Sequence, residues 1–171
     1  MNYNDRKKVI IRRIALAALV VLSAVLQNTC GTLSSYITVR PFLLLPACVA
    51  VSIFETNTVS ALYGVLAGAL WDVSSSYDGF NTLTVMLLSA VCSLLVSHFM
   101  QKNMATALVL GASSIAIYEI LYAVICNAFH GISPFAGMLT YYLPALLLTA
   151  VFIPVYYFAV KAICKRTEVA A

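Results

Sequence analysis

Two carboxylates, Asp72 and Glu119, stand at the edge of or inside apolar runs, and any chemistry of this chain has to start from them. Asp72 ends the series Gly64, Gly68, Asp72, whose spacing of four puts two glycines and a carboxylate on one slowly drifting helix stripe, with Ser60 a turn earlier. Such a stripe lets another helix backbone come close and gain van der Waals contact where no hydrophobic drive acts between helices. It packs either on a neighbour in the same chain or on a partner protein, and the partner is the reading carried forward. Asp72 itself is either a water-exposed helix end or the organiser of the following loop, through Ser74, Ser75 or Asn81. Glu119 sits close to the middle of its apolar run, where a charged side chain costs about 2.5–3.5 kcal/mol to insert. It must be protonated or hydrogen-bonded internally, with Tyr122 three residues on as a neighbour. No Lys or Arg inside an apolar run pairs with it, so a proton or cation path lacks a second station and a structural role is expected.

The other reactive residue types do not assemble. His98 and His130 fall on opposite sides of the membrane in the topology derived below, so they cannot share a metal. Gly111-Ala112-Ser113-Ser114 faintly resembles a serine-nucleophile turn but lacks the second glycine and a histidine at matching depth. The five cysteines (Cys30, Cys48, Cys92, Cys126 and Cys164) fall one to a segment and read as small hydrophobes. No catalytic residue, no metal site and no cofactor is expected, and the chain does not read as an enzyme.

The elements that carry these residues are membrane helices. Of 171 residues, 63% are hydrophobic and 9% charged, and mean hydropathy is +0.97; soluble domains are about 45–50% apolar and about 25% charged. The net charge of +4 comes from bases at the two termini, which is a topology signal and not a nucleic-acid patch. Arg6, Lys7, Lys8, Arg12 and Arg13 precede an apolar run without an Ala-x-Ala-like cleavage site, so an uncleaved first span is expected. Clear spans are read at roughly 14–33, 80–100, 104–128 and 138–160. The stretch from Phe42 to Asp72 is either one long tilted span or two short ones turning at Glu55-Thr56-Asn57-Thr58. Charge decides it. Basic flanks stay cytoplasmic, both ends are basic, and an even span count follows. Two short spans, at roughly 42–54 and 58–72, give six in all and leave Arg40 as the one outer base among ten Lys and Arg. At about 13–15 residues these two reach only roughly 20–23 Å, so they must thin the bilayer, be covered by neighbours, or form a re-entrant-like pair.

Local signals add detail. Gln27 ends the first span as an intramembrane polar residue. Arg40-Pro41 opens the second, proline suiting a first helical turn, and Pro46 is expected to kink it. Gly79-Phe80-Asn81 leads into the fourth, and Arg40 and Asp72 reach the same outer face, where they can pair. Tyr141, Tyr142, Tyr156 and Tyr157 near the ends of the sixth span read as an aromatic belt.

With Gln27, Arg40-Pro41, Leu43-Leu44-Leu45, Gly64, Gly68, Asp72 and Gly79-Phe80-Asn81 in this order and six-span setting, the chain resembles the bacterial rod shape-determining MreD family over nearly its whole length. The family pattern often has a glycine soon after its aspartate, where this chain has Val-Ser-Ser-Ser-Tyr-Asp, and beyond about position 83 the match is one of hydropathy alone. The resemblance implies an all-α polytopic membrane protein with one integral domain, similar in fold to the substrate-binding subunits of energy-coupling-factor transporters. It implies a non-enzymatic component of the cell-elongation machinery in the bacterial inner membrane. Its implied partners are the bitopic protein MreC, MreB filaments, and RodA with its penicillin-binding partner, beside membrane lipid and no nucleic acid. The competing expectation is a substrate-binding subunit of a small-molecule or vitamin transporter. Those subunits carry an Ala-x-x-x-Ala stripe in the first span, whereas here Ala15 is followed at that spacing by Leu19, Ser23 and Gln27.

Overall fold

The computed structural model describes residues 3–32, 41–75, 79–129 and 143–167. They form six α-helices: α1 (Tyr3–Thr32), α2 (Leu44–Phe54), α3 (Asn57–Asp72), α4 (Phe80–His98), α5 (Met104–Phe129) and α6 (Leu143–Arg166), with no strand among the described residues. Stretches Asp5–Thr29, Phe80–His98, Met104–Ile125 and Leu143–Arg166 are long and apolar enough to cross a membrane. The protein is an all-α polytopic membrane protein whose second and third helices are short.

The short α2 is the axis of the bundle. Every residue from Leu44 to Ile53 is buried, because α2 is enclosed by α1, α3, α4, α5 and α6. At 11 residues it spans only about 16 Å, yet it meets no lipid along its length. Of the three ways a short helix can be tolerated, coverage by neighbours is the one α2 uses.

Around α2 the amphipathicity is inverted. The buried face of α4 carries Asn81, Thr84, Ser89, Cys92 and Ser93, while Leu83, Leu87, Val91 and Leu94 point outward. On α3, Ser60, Gly64, Ala67, Gly68 and Trp71 face inward at helical spacing, and Leu62, Val65 and Leu66 face outward. Small and polar residues inside with large aliphatics outside is how helices pack when the solvent is lipid.

One end of the bundle gathers the basic residues. Arg12 Nε lies 2.6 Å from Glu55 Oε1, and Arg12 Nη2 donates to the Phe54 carbonyl at 3.0 Å, so α1 grips the α2–α3 turn. The Tyr63 hydroxyl donates to the Arg13 carbonyl at 2.8 Å. The Tyr157 hydroxyl donates to the Lys102 carbonyl at 3.1 Å, tying α6 to the α4–α5 turn.

Three local expectations change. Helix α2 begins at Leu44 and not at Arg40-Pro41, so Pro41 lies ahead of the helix. Pro46 then occupies the first turn, where its missing N–H would have no intrahelical acceptor, so it interrupts no helical bond. Tyr156 and Tyr157 are buried instead of forming a belt; Tyr157 packs on Phe54, with ring centroids 5.5 Å apart. Tyr141 and Tyr142 lie outside the described residues.

Candidate functional site

Helix α4 starts with a difficulty that its own sequence cannot solve. Its N-cap is Gly79, at φ +82°, which has no side chain to accept a hydrogen bond from the first-turn N–H groups. Asp72, the last residue of α3, supplies the missing acceptor. Its Oδ1 accepts from the Asn81 N–H at 3.1 Å and its Oδ2 from the Thr82 N–H at 2.9 Å. The Thr82 hydroxyl donates to the same Oδ2 at 2.5 Å. A carboxylate at the positive end of a helix is also favoured by the helix dipole. Of the neighbours expected for Asp72, Asn81 is found, through its backbone. Ser75 also bonds Asp72, whose backbone carbonyl accepts both the Ser75 N–H, at 3.1 Å, and its hydroxyl, whereas the Ser74 hydroxyl donates to the Trp71 carbonyl.

Asn81 extends this knot into the bundle. Its side chain is buried; Nδ2 donates to Ser75 Oγ at 3.1 Å, and Oδ1 accepts from the Tyr118 hydroxyl of α5 at 2.6 Å. The Tyr118 ring stacks on Trp71 at 4.8 Å and meets Phe42 edge-on at 5.6 Å. Phe42 in turn donates its backbone N–H to Thr149 Oγ1 of α6 at 3.0 Å. Gln27 of α1 accepts the N–H of Leu44 through Oε1 at 3.0 Å, and so caps α2. Every helix of the bundle contributes to this end, and its polar atoms serve to fix helix termini.

The glycine stripe faces α4. A Cβ on Gly64 would lie 2.8 Å from the Met86 Cα and 2.9 Å from the Val85 carbonyl oxygen. One on Gly68 would lie 2.7 Å from the Asn81 carbonyl oxygen and 2.8 Å from the Thr82 nitrogen. The stripe therefore closes the α3–α4 seam within the chain. A partner cannot dock on that face unless α4 leaves it, which corrects the expectation of a partner contact there.

The remaining candidates separate. Glu119 is 7% exposed, and its Oε1 has no hydrogen-bond partner among the described residues, so the bond expected from Tyr122 is not made to it. The Tyr122 ring instead meets Phe80 and Tyr118. Ser113 and Ser114 lie within helix α5, where Ser113 bonds the Leu110 carbonyl and Ser114 lies 3.2 Å from the Cys92 sulfur. Among the described residues no group of three His, Cys, Asp or Glu could hold a metal. The expectations resting on Arg40, including its pairing with Asp72, and on His130 lie outside the described residues.

Thr82, Tyr118, Phe42, Trp71 and Thr149 were not singled out in the sequence. One signal for Thr82 was available: a helix that opens on glycine needs its cap from elsewhere, and a carboxylate stands at the end of the preceding helix. Nothing comparable points to Tyr118 or Thr149, which arrive from α5 and α6.

The family model for rod shape-determining protein MreD matches residues 7–167, from the first turns of α1 to the end of α6. The chain belongs to the MreD family. No curated protein and no solved structure matches it, so the expected likeness to transporter substrate-binding subunits finds no support there. As an MreD-family protein it is a shape-determining structural membrane protein with a role in rod shape determination. The carboxylate-capped α3–α4 seam is a built-in structural joint of this family member.

Proposed function

We propose that this MreD-family protein is a non-enzymatic scaffold of the cell-elongation machinery, placed in the bacterial inner membrane with both termini in the cytoplasm. It binds an MreC-like bitopic protein and, through it, links MreB filaments to peptidoglycan synthesis by RodA and its penicillin-binding partner. The observation that carries this reading is the family match across the whole bundle. The carboxylate of Asp72 accepts from Asn81 and Thr82, and Asn81 from Tyr118, so the polar groups of this joint are committed to structure within the chain. The orientation is supported by the basic residues at the start of α1 and the end of α6.

The test is complementation in a rod-shaped bacterium depleted of its own family member. The expected result is that this chain restores rods and co-isolates with the bitopic partner after mild cross-linking. Round cells and no co-isolation, at normal levels of folded protein and with the host's own partner protein shown to be compatible, would count against the proposal.

A further inference from the structure

The basic end of the bundle contains a half-open cavity of about 800 Å³, inside the roughly 300–1,000 Å³ range of small-ligand sites. It is walled by the α2–α3 turn, the last turns of α4 and the α4–α5 turn. Two charged residues line it, Glu55 and Lys102. Glu55 is already neutralised by Arg12 at 2.6 Å, which leaves Lys102, exposed at the mouth, as the uncompensated charge among the described lining residues. Gln101, Ser97 and Thr58 add polar groups, and the cavity also touches Thr56 and Asn57, the positive end of α3.

The lining is two-faced. Phe54, Val96 and Met100 give the same cavity an apolar side. Beside the cavity-lining Ser97, Leu94, Val91 and Leu87 form an outward apolar strip along α4 at helical spacing. A small soluble anion has no use for such a strip, whereas an amphiphile fills both parts. The surroundings are cationic as well: Arg6, Lys161, Lys165 and Arg166 are exposed on the adjoining ends of α1 and α6. Each basic residue adds attraction to an anionic leaflet as a whole, a surface effect that is absent when a single lipid binds the solubilised chain.

From this cavity, its single uncompensated cation and the adjoining apolar strip, we propose that the site holds the phosphate headgroup of an anionic phospholipid. Lys102 contacts the phosphate, the polar wall takes the glycerol, and the acyl chains run along Leu94, Val91 and Leu87. The inference does not depend on the protein partners proposed above.

The experiment is lipid titration of the purified, delipidated full chain, followed by native mass spectrometry. The probes are phosphatidylglycerol, phosphatidylcholine and inorganic phosphate. Phosphatidylglycerol is expected to bind at one saturable site and more tightly than phosphatidylcholine. Lys102→Glu should weaken it roughly tenfold, while Lys165→Glu, the same charge change outside the cavity, should weaken it by less than about twofold. Ser97→Trp fills the cavity without touching charge and should also weaken binding, with the unfolding midpoint of each variant verifying its fold. Equal losses for Lys102→Glu and Lys165→Glu would show diffuse attraction and overturn the site. So would unchanged binding in a folded Ser97→Trp variant. Displacement of the lipid by an equal concentration of inorganic phosphate would assign the cavity to a soluble anion and overturn the lipid.

Discussion

Asp72 and Thr82 are joined twice: the Oδ2 of the aspartate accepts both the backbone N–H of Thr82, at 2.9 Å, and its hydroxyl. The end of α3 thereby becomes the cap of α4, and the loop between them need only close the distance. The glycines at 64 and 68 serve the same joint, by letting the two backbones touch all along the seam that Asp72 fastens at its end.

Removing the carboxylate should free the start of α4. Asp72→Ala is expected to cost about 2–3 kcal/mol, the scale of losing hydrogen bonds to a charged acceptor. Asp72→Asn should cost less, because its amide oxygen still accepts one bond. Hydrogen exchange locates the effect: the amides of Asn81 and Thr82 should speed up first. If exchange rose evenly along α4, the capping role would be wrong.

Glycine substitutions should act on folding. Gly68→Ala presses its methyl on the backbone of Asn81 and Thr82, which cannot rotate away as a flexible side chain would. A loss of at least about 2 kcal/mol is expected, within the range for forced overpacking. Gly79→Ala differs in cause, since a Cβ there meets nothing within 4 Å; the left-handed backbone alone costs it about 1–2 kcal/mol. Detergent-solubilised unfolding midpoints check both. A Gly68→Ala protein as stable as the parent would mean that α3 and α4 separate easily, which would reopen the stripe to a partner.

Much of the architecture was legible because each signal was local. The charge of the two ends and the polar break at Glu55–Thr58 divided the apolar stretch at residues 42–72 into the two helices that the structure shows as α2 and α3. What could not be read was which neighbour each face meets. A stripe such as Gly64–Gly68 looks the same in sequence whether α4 or another protein fills it. Tyr118 meets Asn81 from 37 residues away, and nothing in the spacing of either residue encodes that meeting. The tyrosines at 156 and 157 were misread as a belt for the same reason: their place near a helix end is visible, their burial is not.

The Tyr118–Asn81 bond is testable as a pair. Tyr118→Phe keeps the ring against Trp71 but leaves the buried Asn81 Oδ1 without this donor, so a loss of about 1–2 kcal/mol is expected. Asn81→Ala should be worse, since it also breaks the bond to Ser75. In the double variant the Tyr118→Phe change should add little, giving a coupling of about 1 kcal/mol in a double-mutant cycle. Strict additivity would show that the hydroxyl and amide do not interact.

The Arg12–Glu55 pair makes the opposite kind of case, a charge pair whose halves matter more than the whole. Both side chains are largely enclosed, at 27% and 10% exposure, so each desolvated charge depends on the other. Glu55→Gln leaves the Arg12 guanidinium with the Phe54 carbonyl but without its counter-charge; a cost of about 2–4 kcal/mol is expected, somewhat under the fully buried range. Arg12→Gln should be at least as costly, because the enclosed carboxylate is then stranded and the Phe54 carbonyl loses the Arg12 donor. The double variant removes both charges and with them both desolvation penalties, and it should recover most of the loss. Unfolding midpoints of the three variants decide the matter. If the double variant were as unstable as the sum of the singles, the pair would be worth nothing as a pair, and the grip of α1 on the α2–α3 turn would rest on the Phe54 carbonyl alone.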